Sequence, residues 1–469
     1  MTMTRVSSVL LAPLLVGLVL VCAASVRPAA APVTFSETIA PILYANCVTC
    51  HRPGEAAPFP LISYDDVRKR GRQIVKVTSS RYMPPWHAAH GFGDFADERR
   101  LTDAQIDTIG EWVKQGMPEG DSRRMPKLPA FPDGWHLGTP DLILRMPVAY
   151  ELPSGGPDVY RNFVIPTHLT EDKWVRAVEF HPSARKAVHH VLFAYDAGGA
   201  AAKRDGLDGK PGYGGMGSAG LGPAGSTGPL GGWAVGATPT FLPPGVALVL
   251  PKGSDVILQM HFHPTGKLET EQSTIGIYFA DKAPDRRVWS VQVPALFGFG
   301  AGIDIPAGES QYVIEDSLTL PVDVKAFSIA AHAHYIAKQM KATATLPDGT
   351  VQPLLWIQDW DFNWQDRYTY KTPLLLPKGT RIDARLIYDN SADNPRNPSA
   401  PPKQVQWGEQ SFDEMGSVII AVQCQQKEDE PVLQKAFADR LRATIARARA
   451  NGTLQRYLEQ RGGRGGDPR

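Results

Sequence analysis

The chain is 469 residues long, with 49 basic and 48 acidic side chains, a formal net charge of +1 and 43% hydrophobic residues. That balance gives no footing for a nucleic-acid surface, which needs an excess of positive charge. Only four cysteines are present, so the domains must be held by packing and not by a disulfide framework.

The first element is a leader. Met1 to Arg5 is a short basic start, and VSSVLLAPLLVGLVLVCAAS is an apolar run followed by small residues. This reads as a secretory signal over residues 1–31, with cleavage between Ala23 and Ala31. An uncleaved membrane anchor is the alternative, but Pro13 and Gly17 interrupt the run. Val21 is a poor residue in front of a lipidated Cys22. The mature chain is therefore expected to be exported, periplasmic or secreted.

Next comes CVTCH, Cys47 to His51. Zinc would need two further ligands, and no second C-x-x-C or nearby H-x-x-x-H supplies them. A thioredoxin-like site would open a helix after a strand, whereas the preceding ETIAPILYAN looks helical itself. C-x-x-C-H is the attachment pattern of haem c, with two thioether bonds at Cys47 and Cys50 and His51 as the proximal imidazole. Candidates for a sixth ligand are Met83, Met117, His87 and His90. Met83 is favoured, because RYMPPW is a Pro-rich loop able to turn its sulfur toward iron. In LTDAQIDTIGEWVKQG, Thr102 and Gln105 have capping-box spacing, and Ile106, Ile109, Trp112 and Val113 share one helical face. Residues 33–122 resemble a class I cytochrome c, which implies an all-α domain wrapped around one covalently bound haem c.

From RMPKLPAFPDG onward prolines mark a linker, residues 123–140. Short β-branched runs follow: VRAVEF, HHVLFAY, VILQMHFH, AFSIAAHAHYI, RIDARLIYDN and SVIIAVQ. LPDGT near Asp348 is a hairpin signal. About 290 residues are too many for one small sandwich, so two all-β sandwiches are expected, 141–285 and 286–428. The Gly-rich segment Gly206 to Gly232 reads as an exposed loop, with a lid over a site as its functional alternative. Residues 429–469 form an arginine-rich helical tail, expected to dock on the protein and not on a membrane.

Six histidines cluster in this β-rich region: His189 and His190, His261 and His263, His332 and His334. His136, His168 and His181 are isolated and read as structural or exposed. Residues two apart on a strand share a face, so His332 and His334 can reach one ion. Adjacent His189 and His190 point to opposite faces of a regular strand, and joint ligation there needs a bulge or a strand end. Imidazole alone does not choose between copper, zinc, iron and nickel. Met415 in FDEMGSVII adds a thioether, and a thioether with two imidazoles favours Cu(I). Cys424, the remaining thiol, reads as an unpaired core cysteine and not as a blue-copper ligand.

Taken in order, AVHHVLFAYD, LQMHFHPTG, AHAHYIAK and FDEMGSVIIAV resemble the copper type II, ascorbate-dependent monooxygenases, the family of dopamine beta-monooxygenase and peptidylglycine alpha-hydroxylating monooxygenase. The resemblance spans roughly residues 140 to 425. It implies two jelly-roll-like β-sandwiches, each holding one of two copper ions across a solvent-filled gap. His189, His190 and His261 would hold the electron-storing copper, and His332, His334 and Met415 the copper that meets dioxygen and substrate. His263 has no ligand role in that pattern. Ala330 stands where the peptide-amidating branch has a carboxylate-gripping arginine, which argues against a peptide C-terminus as substrate.

The expected function is hydroxylation of a C–H bond of a small organic substrate, with dioxygen as co-substrate. The electron donor would be an ascorbate-like reductant or a redox protein, its electrons relayed through the haem. The alternative is a redox or copper-handling electron-transfer protein without hydroxylase activity.

Overall fold

A computed structural model describes residues 32–464 except 54, 56, 132–133, 157, 216–218, 220, 222–225 and 236. The leader lies outside the described residues. No helix among the described residues is long and apolar enough to cross a membrane.

The chain is mostly β, with 33% strand and 19% helix. This corrects the expectation of an N-terminal all-α cytochrome c domain. Three helical stretches are present there: Phe35–Ile39 running into Ala40–Asn46, then Tyr64–Ser79, then Asp103–Lys114. Between the last two, residues 83–100 contain no helix, and their middle part runs onto the C-terminal sandwich. Ala88 bridges Ile357, Phe95 bridges Tyr370, and both Ala88 and Phe95 are buried in the core of the C-terminal sandwich. The cause is aromatic packing. Trp86 meets Tyr368 edge-on at 5.0 Å, Phe95 stacks on Tyr370 at 5.3 Å, and Phe92 packs on Trp356 at 5.7 Å.

The helices themselves follow local chemistry. Ser63 and Asp66 form a capping box for one, Thr102 and Gln105 for another. Ile109 and Trp112 are buried against Phe35, Ile39 and Leu43.

The first sandwich consists of two antiparallel sheets. One has the order Leu142–Arg145, Thr274–Phe279, Lys173–His181, Leu248–Leu250. The other has the order Tyr213–Gly214, Val159–Pro166, Asp255–Phe262, Val188–Asp196, Thr227–Ala234. The Gly-rich segment is thus only partly a loop, since it supplies both edge strands of the second sheet. The core between the sheets includes Phe163, Phe180, Val191, Leu258, Met260 and Ile277.

The second sandwich also pairs two antiparallel sheets. Val288–Val293, Gly416–Cys424, Val324–Ala333 and Arg367–Leu376 form one. Tyr312–Thr319, Arg381–Tyr388, Ala337–Thr345 and Val351–Ile357 form the other. The tail helix Glu430–Ala450 docks on it: Leu433 is fully buried, Phe437 packs on Trp289, and Arg440 pairs with Asp316 at 2.7 Å.

Candidate metal centres

Strands Val188–Asp196 and Asp255–Phe262 run antiparallel, with Val188 opposite Phe262 and His190 opposite His261. One residue, His189, is left over, so the register shifts there. This is a bulge, and it brings two adjacent side chains to one side of the strand. As a result three Nδ1 atoms converge: His189 to His190 at 3.1 Å, His189 to His261 at 3.2 Å, and His190 to His261 at 3.4 Å. A point about 1.9 Å from all three lies at the centre of that triangle, close to the metal–imidazole distance of about 2.0 Å. Three ring nitrogens so close cannot satisfy one another by hydrogen bonding, and they fit a single cation.

The tautomer is fixed from behind. His261 donates its Nε2–H to Asp158 Oδ2 at 2.8 Å, which leaves Nδ1 with a free lone pair. His263 donates Nδ1–H to the other oxygen of Asp158, also at 2.8 Å. Burial alone would raise the Asp158 carboxyl, but the hydrogen bonds from His261 and His263 outweigh it and hold it at about 2. Tyr160 stacks on His261 at 4.2 Å and shares a hydrogen bond with Ser411 Oγ, which in turn donates to Asp158. Burial pushes His189 down to about 3 and His190 well below its ordinary value. Both imidazoles are therefore neutral, the form that binds metal.

The second group is set by strand register. His332 lies opposite Ser417 and Ala333 opposite Gly416, so His334 and Met415 are the next residues along the same antiparallel pair. The His332 and His334 rings lie 5.3 Å apart, and Met415 follows directly on the partner strand's end. His332 donates Nδ1–H to Gln365 Oε1 at 2.6 Å, and His334 donates Nδ1–H to the Asp413 carbonyl at 3.2 Å. This leaves Nε2 of His332 as a ligand atom, while His334 also bonds the Gln410 backbone. Burial lowers His332 to about 4 and His334 to about 3.

Glu414, which is fully buried, ties this group together. One carboxylate oxygen accepts the backbone N–H of both His334 and Met415, and the other accepts that of Ile336. Next to it, a Cβ on Gly416 would come 2.0 Å from the Tyr388 hydroxyl, which donates to the Met415 carbonyl. Only glycine fits there.

One buried side chain touches both groups. Phe362, 5% exposed, lies flat on His189 with centroids 5.0 Å apart and meets His334 edge-on at 5.9 Å. Asp158, Glu414 and Phe362 carry no sequence signal: each is a single loop residue outside any periodic pattern.

At the C-x-x-C-H turn, Cys47 and Cys50 are unpaired, and His51 donates Nδ1–H to the Phe59 carbonyl at 3.0 Å, leaving Nε2 as a ligand. Burial pushes the Cys47 thiol up to about 12 and raises Cys50 as well. Neither is the stabilised thiolate of a redox-exchange site. Two free thiols and an oriented imidazole fit covalent haem. Met83 lies at the end of the Tyr64–Ser79 helix, its N–H on the Val77 carbonyl, lining a cleft with Thr78, Arg81 and Leu101. Of the other sixth-ligand candidates, Met117 packs its sulfur over Gly71, His87 bonds the Asp359 carbonyl and His90 faces Glu98.

The turn is fastened to the first sandwich. Glu55 bridges Arg52 at 2.8 Å and Arg185 at 2.6 Å, three residues ahead of the strand that carries His189 and His190. Arg99, whose charge acts on Cys50, forms an ion pair with Asp366, the neighbour of the Gln365 that orients His332.

No protein-family model matches the sequence, and no curated protein matches it. Among solved structures, the VP2 subviral particle of infectious bursal disease virus matches at 12% identity over 60% of this chain and 72% of its own, with a TM-score of 0.15. The major capsid protein P2 of bacteriophage PM2 matches at 10% identity over 60% and 97%, with a TM-score of 0.24. The CBM22 tandem of Paenibacillus barcinonensis Xyn10C matches at 10% identity over 61% and 98%, with a TM-score of 0.14. Scores this low carry no argument about function.

Proposed function

We propose that the protein is an exported copper-dependent monooxygenase that hydroxylates a C–H bond of a small organic molecule, with electrons passing through a haem held at Cys47, Cys50 and His51. The observation that carries this reading is the convergence of His189, His190 and His261 Nδ1 atoms, from two strands, together with a second pair of imidazoles, His332 and His334, 5.3 Å apart at the strand end that Met415 adjoins. Two inequivalent sites, one purely imidazole and one with a thioether, suit a pair of copper ions with different tasks. Bound copper would supply the one-electron steps by which one oxygen atom of dioxygen enters the C–H bond and the other leaves as water, consuming two electrons and two protons.

The chain's own residues do the rest. Asp158 and Gln365 hold one imidazole of each group in its ligating tautomer, and Glu414 fixes the spacing of His334 and Met415. Phe362 packs against one imidazole of each group. The resemblance to the ascorbate-dependent copper monooxygenases supports the same ligand assignment, and the ion pair of Arg99 with Asp366 supports electron entry from the haem side.

Oxygen uptake by copper-loaded protein in the presence of candidate substrates tests the reading, with metal and haem content measured on the same preparation. Uptake that depends on substrate and on both His189 and His334 is the expected result. Copper bound at both groups with reversible redox but no such uptake would instead identify an electron-transfer protein.

A further inference from the structure

A third cluster lies outside both histidine groups. Glu179 and His181 occupy alternate positions of strand Lys173–His181 and so share a face, and His136 arrives from the linker. Ligand atoms of the three lie within 4.8 Å of one another. His136 Nδ1 and His181 Nε2 are each 2.8 Å from the same atom, Glu179 Oε1.

The Glu179 carboxylate is already nearly saturated. Oε1 accepts the backbone N–H of His136 at 2.8 Å, while Oε2 accepts that of Leu137 at 3.2 Å and the Tyr278 hydroxyl at 3.2 Å. A carboxylate offers about four lone-pair positions, two per oxygen. One remains on Oε1, and two imidazole nitrogens converge on it. Two N–H donors cannot both use it well. A cation there would accept lone pairs from both nitrogens and from that oxygen, and each ring proton would move to the outer nitrogen, where the side chains are 29% and 25% exposed.

The surroundings are shaped for it. Trp135 stacks on His181 at 4.1 Å and 16°. It can lie there because Gly276, directly opposite Glu179 in the sheet, has no side chain: a Cβ would come 2.7 Å from the Trp135 ring. Glu179 is 2% exposed, so its carboxylate meets these partners and little solvent.

We infer that His136, Glu179 and His181 form a third metal site, for a divalent first-row transition ion such as zinc, which fastens the segment Trp135–Leu137 to the first sandwich. Two imidazoles and one carboxylate leave further coordination positions open to solvent. At metal–ligand distances of about 2.1 Å, the 2.8 Å separations subtend nearly right angles at the ion, which suits five or six ligands better than four.

The test uses the full-length protein, stripped with chelator and titrated with Zn2+ in equilibrium dialysis. H136Q, on a partly exposed segment, should bind one zinc equivalent fewer than the parent, and added zinc should raise its melting temperature less. The same single equivalent should disappear when H136Q is placed on an H189A/H190A background, which separates this site from the proposed copper centres. Equal zinc equivalents in parent and H136Q would overturn the inference, as would a zinc-edge anomalous map of the zinc-loaded parent with no peak among the three residues.

Discussion

Phe362 lies flat against His189, ring centroids 5.0 Å apart and planes inclined by 21°, and its ring also meets His334, so one side chain touches both histidine groups. Phe362→Ala should cost about 3–5 kcal/mol, the range for deleting a buried aromatic ring. Because Phe362 supplies no ligand, the number of copper ions bound should stay the same. The magnetic or redox coupling between the two ions should change, and paired melting curves and electron paramagnetic resonance check both statements.

Glu414→Gln should destabilise the protein by about 1–3 kcal/mol, because an amide nitrogen would face a backbone N–H that now has an acceptor. The effect on metal should be unequal. The group of His332, His334 and Met415 should weaken while that of His189, His190 and His261 keeps its copper, as read by sulfur scattering in X-ray absorption.

Cys424 is 1% exposed, and burial pushes its thiol up to about 11 from an ordinary value of 9.0. The folded thiol therefore stays protonated where the unfolded one ionises. Its contribution to stability is fully present below about pH 9 and is lost as pH rises toward 11. A thiol reagent at pH 8 should label Cys424 only after denaturant is added, and stability measured by denaturant titration should fall across that alkaline window. Cys424→Ser should retain both copper equivalents.

Leu433 anchors the tail helix in the core of the second sandwich. Leu433→Ala should cost about 2–5 kcal/mol. Ending the chain before residue 430 should expose Trp289 and lower the melting temperature by at least as much, with no change in the first sandwich's metal content.

Much of the histidine geometry was legible because it follows from strand periodicity. Adjacent His189 and His190 demand a bulge if both are to reach one ion, and a bulge is what the sheet contains. His332 and His334, two apart, share a face for the same reason. Asp158, Glu414 and Phe362 were not legible, because each meets its partner through a loop whose path no local pattern encodes. The largest misreading has a similar origin. Capping boxes at Ser63 and Thr102 mark real helices, but nothing near Trp86 or Phe95 says that those rings will pack on Tyr368 and Tyr370 rather than on the helices beside them. His136 and His181, read as isolated, meet only because the linker folds back along the sheet.

The stitching of residues 88 and 95 into the far sandwich changes what a tether would mean here. A module on a flexible string finds its target by repeated collision, and its transfer rate falls as the solvent thickens. Here Glu55 of the turn pairs with Arg185 of the first sandwich, and Arg99 of the segment between the helices pairs with Asp366 of the second, so any electron leaving that turn would cross a fixed span. Its rate should be first order and indifferent to glycerol.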